Sequence, residues 1–88
     1  MNFITFGKWR KKPTKESVAQ ASKLFQQFVK EGGKVIGQYW MLGRYDVVTI
    51  LEAKDEKTLM KWGLQWGDLL STETLVAIPR EEAIKFVE

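Results

Sequence analysis

The stretch KVIGQYWMLGRYDVVTILEA, residues 34–53, decides the fold. Two apolar runs, KVIGQYWML (34–42) and YDVVTILEA (45–53), stand on either side of Gly43. Segments of that length, rich in β-branched and aromatic residues, read as strands, and so short a connection returns the second against the first as an antiparallel hairpin. Upstream, Val18, Ala21, Leu24, Phe25, Phe28 and Val29 recur at three- and four-residue intervals, from an N-cap at Thr14 to a stop at Gly32–Gly33. Downstream, Asp55 caps a second helical pattern, with Leu59, Trp62, Gly63 and Trp66 on one face and Gly67 as its end. FITFGKW (3–9) and STETLVAIP (71–79) supply a first and a fourth strand, and REEAIKFVE forms an amphipathic tail.

The order βαββαβ, with short connections and right-handed crossovers, predicts an α+β, ferredoxin-like fold. A four-stranded antiparallel sheet carries both helices on one face, within a single domain over residues 1–88. Side chains alternate across a strand. In the first strand Phe3, Thr5, Gly7 and Trp9 oppose Ile4 and Phe6; in the third, Tyr45, Val47, Thr49 and Leu51 oppose Asp46, Val48 and Ile50; in the fourth, Thr72, Thr74, Val76 and Ile78 oppose Ser71, Glu73, Leu75 and Ala77. Both faces are apolar, and the helices cover one. An exposed apolar sheet exceeds what soluble monomers tolerate, so a second copy is expected to cover it, giving a dimeric α+β barrel with a cavity between the sheets.

Composition excludes several chemistries. Without Cys there is no disulfide framework or thiolate, and without His no imidazole base, Ser-His-Asp triad or histidine-ligated zinc or haem. No spacing of carboxylates suggests a metal centre, and no Gly-rich phosphate loop is present, so neither metal nor cofactor is expected. No apolar run follows Met1 or approaches the roughly 18 residues of a membrane span, so no membrane partner is expected and the expected location is cytoplasmic. The net charge of +3 is spread along the chain, apart from KWRKK at 8–12. RNA-recognition domains share the βαββαβ order, and GRYDVVTI superficially resembles their third-strand signature. After Tyr45, however, the same-face residues are Val47 and Thr49, which offer no π surface, so nucleic acid is disfavoured as a partner.

Gly43, Tyr45 and Asp46 match a Gly-x-Tyr-Asp motif, and GKW (7–9), GGKVIGQYW (32–40) and STETL (71–75) accompany it in order along almost the whole chain. On these residues the chain resembles the GYD-domain family of small proteins. The resemblance implies a ferredoxin-like fold of the dimeric α+β barrel kind and brings no established reaction. After Trp9 the family often has Thr and a Gln-Gly-like turn; this chain has RKKP, so no pocket contact from that loop is carried over. Architectural relatives include cofactor-free monooxygenases, muconolactone isomerases, haem enzymes and effector-binding regulatory domains, a spread that fold alone does not narrow.

The candidate cavity or ligand-binding residues are Thr5, Trp9, Tyr39, Trp40, Tyr45, Asp46, Thr49, Thr72, Glu73 and Thr74, and no catalytic residue is assigned. Asp46 as proton acceptor and Tyr45 as donor stand against a structural reading, in which Asp46 braces the Gly43 turn and Tyr45 packs with its hydroxyl satisfied. Neighbours on a strand point to opposite faces, so at most one enters an interior unless a bulge intervenes. Glu73 must be paired, solvated or functional; a salt bridge across a dimer is the favoured role. The threonines suit a polar patch and are also ordinary strand formers. Trp62 and Trp66 share a helical face and read as core, whereas Trp9 and Trp40 stand near strand ends, where pockets and interfaces form. The expected role is a homodimer binding a small apolar or aromatic ligand between its sheets; a cofactor-independent isomerase- or monooxygenase-like enzyme is the alternative, and RNA binding the third.

Overall fold

The computed structural model describes residues 1–87; the tail's last position, Glu88, lies outside the described residues. The chain runs β1 (Asn2–Trp9), α1 (Lys15–Lys30), β2 (Lys34–Trp40), β3 (Val47–Glu52), α2 (Glu56–Gly63) and β4 (Leu70–Ala77). The strands lie in the order β2-β3-β1-β4 with every neighbouring pair antiparallel, which is the ferredoxin-like α+β arrangement. The second helix is shorter than its periodicity predicts. It passes at Leu64–Trp66 into a 3-10 turn, a common way for a helix end to tighten. A one-turn α3 (Arg80–Ala83) and a 3-10 turn (Ile84–Val87) make up the tail. No helix among the described residues is long and apolar enough to cross a membrane.

Local sequence explains both main helices. Thr14 Oγ1 accepts from the Ser17 backbone N–H at 3.1 Å, and Ser17 Oγ accepts from the Thr14 N–H at 2.7 Å, a reciprocal capping box. At α2, Asp55 Oδ1 accepts from the Thr58 N–H at 2.9 Å and from its hydroxyl at 2.8 Å. These two bonds hold the Asp55 carboxyl below its ordinary pKa. The cap therefore stabilises the fold above the ordinary carboxylate range, and its contribution is lost as pH falls through the lowered value. Asp55→Ala is expected to lower the melting temperature at neutral pH, with the gap to wild type closing in acid; circular dichroism melts across pH check this.

Phe3, Phe28 and Leu51 are fully buried, joined in the core by Ala53, Leu59, Trp62, Trp66 and Leu70. Phe3 and Leu51 are partners in the β1–β3 ladder and fix which sheet face the helices cover. Alternation then puts Thr5, Gly7, Thr49 and Val47 under the helices, and leaves Ile4, Phe6, Val48, Ile50 and Leu75 on the other face, which no described element covers. β2 carries a bulge between Val35 and Gly37. Beyond it Gln38 pairs with Thr49 and Trp40 with Val47, so these two side chains join Val35 on the helix side, while Tyr39 pairs with Val48 and lies over Gly37.

Candidate functional site

The register lines up a polar row across all four strands beneath the helices: Gln38, Thr49, Thr5 and Thr74. Thr5 and Thr49 are 7% and 5% exposed, and the Thr5 and Thr74 hydroxyls share a hydrogen bond of 2.9 Å. Along this row α1 contributes Val18, Phe25 and the short side chains of Ala21 and Ser22. A cavity of about 120 Å³ remains between the two layers. Thr5 and Thr49 lie against it from the sheet, Trp9, Phe25, Trp62 and Trp66 contribute aromatic walls, and the exposed Ser22, Gln38 and Trp40 mark its mouth. Trp9 and Trp40 meet edge to face at 5.6 Å. The Trp62 indole N–H donates to the Leu24 carbonyl at 3.0 Å. The Trp66 indole N–H is buried and has no hydrogen-bond partner among the described residues.

The Gly-x-Tyr-Asp motif sits at the edge of this region and serves two faces. Gly43, at φ 119°, turns the chain where other residues are strained. Asp46 Oδ2 accepts from the Trp9 backbone N–H at 2.8 Å, while the Asp46 N–H donates to Gly7 O at 2.9 Å and Asp46 O accepts from the Met41 N–H at 2.7 Å. The carboxylate thus ties the end of β1 to the β2–β3 connection instead of closing the Gly43 turn on itself. Asp46→Ala leaves the Trp9 N–H unpaired and is expected to destabilise by about 1–3 kcal/mol. Asp46→Asn, which keeps an acceptor oxygen, should cost less; urea unfolding of the two variants checks the order.

Tyr45 goes to the opposite face. Its hydroxyl donates to Glu73 Oε2 at 2.6 Å, its ring packs on Phe6 at 4.9 Å, and the Arg44 guanidinium lies 5.4 Å from the ring centroid. The bond to Glu73 raises the Tyr45 pKa above the ordinary tyrosine range. It favours the folded chain while the phenol is protonated and is lost as pH rises through the raised value.

The sequence-predicted site residues therefore separate. Thr5, Trp9, Trp40, Thr49 and Thr72 line the cavity within the subunit, not a space between sheets, because they share a face with Phe3 or Leu51. Thr74 is on that face but outside this cavity, in a groove beside α2. Tyr45 and Glu73 stand together on the open face; Tyr39 lies over Gly37 on that face and also borders the cavity. Tyr45 parts from the Val47 set because β3 begins only at Val47, so strict alternation does not extend back to it. Ala21, Ser22, Phe25 and Gln38 also belong to the cavity, and sequence reasoning does not place them there. A small residue on the apolar helical face, Ala21, beside the exposed Ser22 is the available signal. Among the described residues no three His, Cys, Asp or Glu side chains are grouped to hold a metal ion.

No curated protein matches the sequence. Among solved structures, MtbAldR (Rv2779c) is 14% identical with a TM-score of 0.57 over 88% of this chain and 52% of that one, so this chain spans about half its length. A Thermus thermophilus protein, TTHA0845, is 22% identical with a TM-score of 0.53, over 90% of this chain and 98% of that one. YJCS is 16% identical with a TM-score of 0.54, over 88% and 98%. Identities this low establish a shared fold alone. The GYD-domain family model matches residues 3–87, covering both the motif and the strands that form the cavity; the chain belongs to the GYD-domain family.

Proposed function

We propose that the protein is a homodimer that binds a small apolar or aromatic molecule in the cavity between its sheet and α1. The observation that carries this reading is the cavity itself: aromatic walls, a few buried hydroxyls and, among the described residues, no charged side chain in its lining. Concave, mostly apolar sites with a few placed polar groups are the usual form of small-molecule sites. At about 120 Å³ the space is near the roughly 150 Å³ of an apolar cavity that takes up benzene. The second copy is assigned to the open face, whose apolar rows need cover.

Toluene tests the cavity. A ligand that binds only the folded chain raises stability by about 2.7 kcal/mol at a hundred times its Kd. Toluene is expected to raise the melting temperature of the wild type, and Ala21→Phe, which puts a ring into the space, is expected to remove that rise. A rise that survives Ala21→Phe places binding elsewhere. The 2.6 Å Tyr45–Glu73 bond favours a second reading, a cofactor-independent isomerase- or monooxygenase-like enzyme in which this pair moves a proton. Turnover abolished by Tyr45→Phe would support it.

A further inference from the structure

The floor of the cavity restricts what its occupant carries; this inference rests on the reading that the cavity binds a small molecule. The polar row on that floor is not uniform. The Thr5 and Thr74 hydroxyls bond each other at 2.9 Å, so each has a partner within the chain. Thr49 is paired with Thr5 across the β1–β3 ladder and is 5% exposed, yet its hydroxyl has no hydrogen-bond partner among the described residues. It is not sealed off. Trp66 Nε1 is the one unpartnered side-chain polar atom among the described residues that is fully occluded, so the Thr49 hydroxyl keeps surface of its own. β1 and β2 flank Thr49 within the sheet and its side chain stands on the helix face, so the space which that surface borders is the cavity.

A hydroxyl held this far from bulk water without a partner forgoes a hydrogen bond, and such groups are rare enough in folded proteins to need a cause. A hydroxyl both donates and accepts, so it matches a hydroxyl or a carbonyl oxygen equally well. Among the described residues no Lys, Arg, Asp or Glu lines the space, so an ionised group held against Thr49 would shed its hydration without a counter-charge. The opposite layer offers the rings of Phe25, Trp62 and Trp66, which suit an apolar body. The floor sets no limit on length, because the cavity opens at the exposed Ser22, Gln38 and Trp40. We infer that Thr49 determines specificity at this site: its hydroxyl bonds a neutral hydroxyl or carbonyl oxygen of a mostly apolar ligand, whose remaining surface lies against the rings of the helix layer.

The test pairs phenol with toluene, which carries a methyl group in place of the hydroxyl, and naphthol with methylnaphthalene, the same exchange on a larger ring. Affinities are read by NMR titration of wild type, Thr49→Val and Thr49→Ser. Thr49→Val keeps the shape and deletes the hydroxyl; Thr49→Ser keeps the hydroxyl. For each pair that binds, affinity for the hydroxyl compound is expected to fall about three- to tenfold in Thr49→Val, the loss that one neutral hydrogen bond carries, while the hydrocarbon changes by no more than about twofold. Thr49→Ser is expected to keep the wild-type preference between the two. Comparing each compound with itself across the variants cancels their different solubilities in water. A crystal of the wild type soaked with the tighter-binding hydroxyl compound needs no variant: its oxygen is expected within hydrogen-bond distance of Thr49 Oγ1. Equal changes for both members of a pair in Thr49→Val, loss of the preference in Thr49→Ser, or an oxygen turned away from Thr49 would overturn the inference and leave the cavity a binding site. Absence of binding by all four compounds, or binding that survives Ala21→Phe, would overturn the inference and the proposed function together.

Discussion

Trp62→Ala is expected to lower the unfolding free energy by about 3–5 kcal/mol, the range for deleting a large buried aromatic side chain. Trp62 is 2% exposed and packs on three other aromatic rings, Phe28 at 5.0 Å, Trp66 at 5.4 Å and Phe25 at 5.6 Å. Its indole N–H also bonds the Leu24 carbonyl, so one side chain joins α2 to α1 by packing and by a hydrogen bond. Truncation opens a hole among rigid rings that cannot close over it. Domains of this size hold only about 5–15 kcal/mol in total, so the variant should sit near its folding threshold. Trp62→Phe keeps most of the ring contact and should lose far less. Urea midpoints at unchanged m-value measure both.

Ile50→Lys is expected to turn a dimer into a folded monomer. Ile50 lies at the centre of the open face, paired with Ile4 on one side and Gly37 on the other, and Ile4 pairs in turn with Leu75. The adjoining row runs Tyr39, Val48, Phe6 and Glu73. These rows form one continuous apolar surface broken only by the Tyr45–Glu73 pair, and an unpaired ammonium at its centre cannot be buried against a second copy at acceptable cost. Light scattering should give twice the chain mass for wild type and the chain mass for the variant, whose circular dichroism stays that of the wild type. A monomeric wild type would contradict the dimer. It would leave Phe6, Tyr39 and Tyr45 as an aromatic platform facing water, the arrangement that single-stranded nucleic acid uses.

Much of this was legible in the sequence. Helical periodicity and the glycine-punctuated hairpin predict the element order, and period-two alternation sorts Phe3, Thr5, Gly7, Val47, Thr49 and Leu51 onto one face, as the ladders show. What alternation does not give is which of two apolar faces lies under the helices. That choice is made by packing, through Phe3 and Leu51 against Phe28, and it moves the threonine row from an inter-sheet space to the subunit interior. The β2 bulge was also invisible, because Ile36 is an unexceptional strand residue; one extra residue there sends Gln38 and Trp40 to the helix side. Tyr45 shows the same limit at a strand end, where the β2–β3 connection and not the pleat sets its direction. The cavity itself brings short side chains of α1, Ala21 and Ser22, together with short side chains of the sheet, Thr5 and Thr49, across two layers distant in sequence. Neither pair is conspicuous alone. The orphaned Trp66 N–H is a property of three-dimensional surroundings that no spacing rule encodes.

The most direct measurement is a crystal of the protein soaked with bromobenzene, its bromine located by anomalous scattering. A single strong peak within the subunit, between Thr5 and Thr49 of the sheet and Ala21 of α1, is the predicted result. A peak on the open sheet face, or none in a crystal whose cavity is otherwise unobstructed, would contradict a ligand site between the sheet and α1.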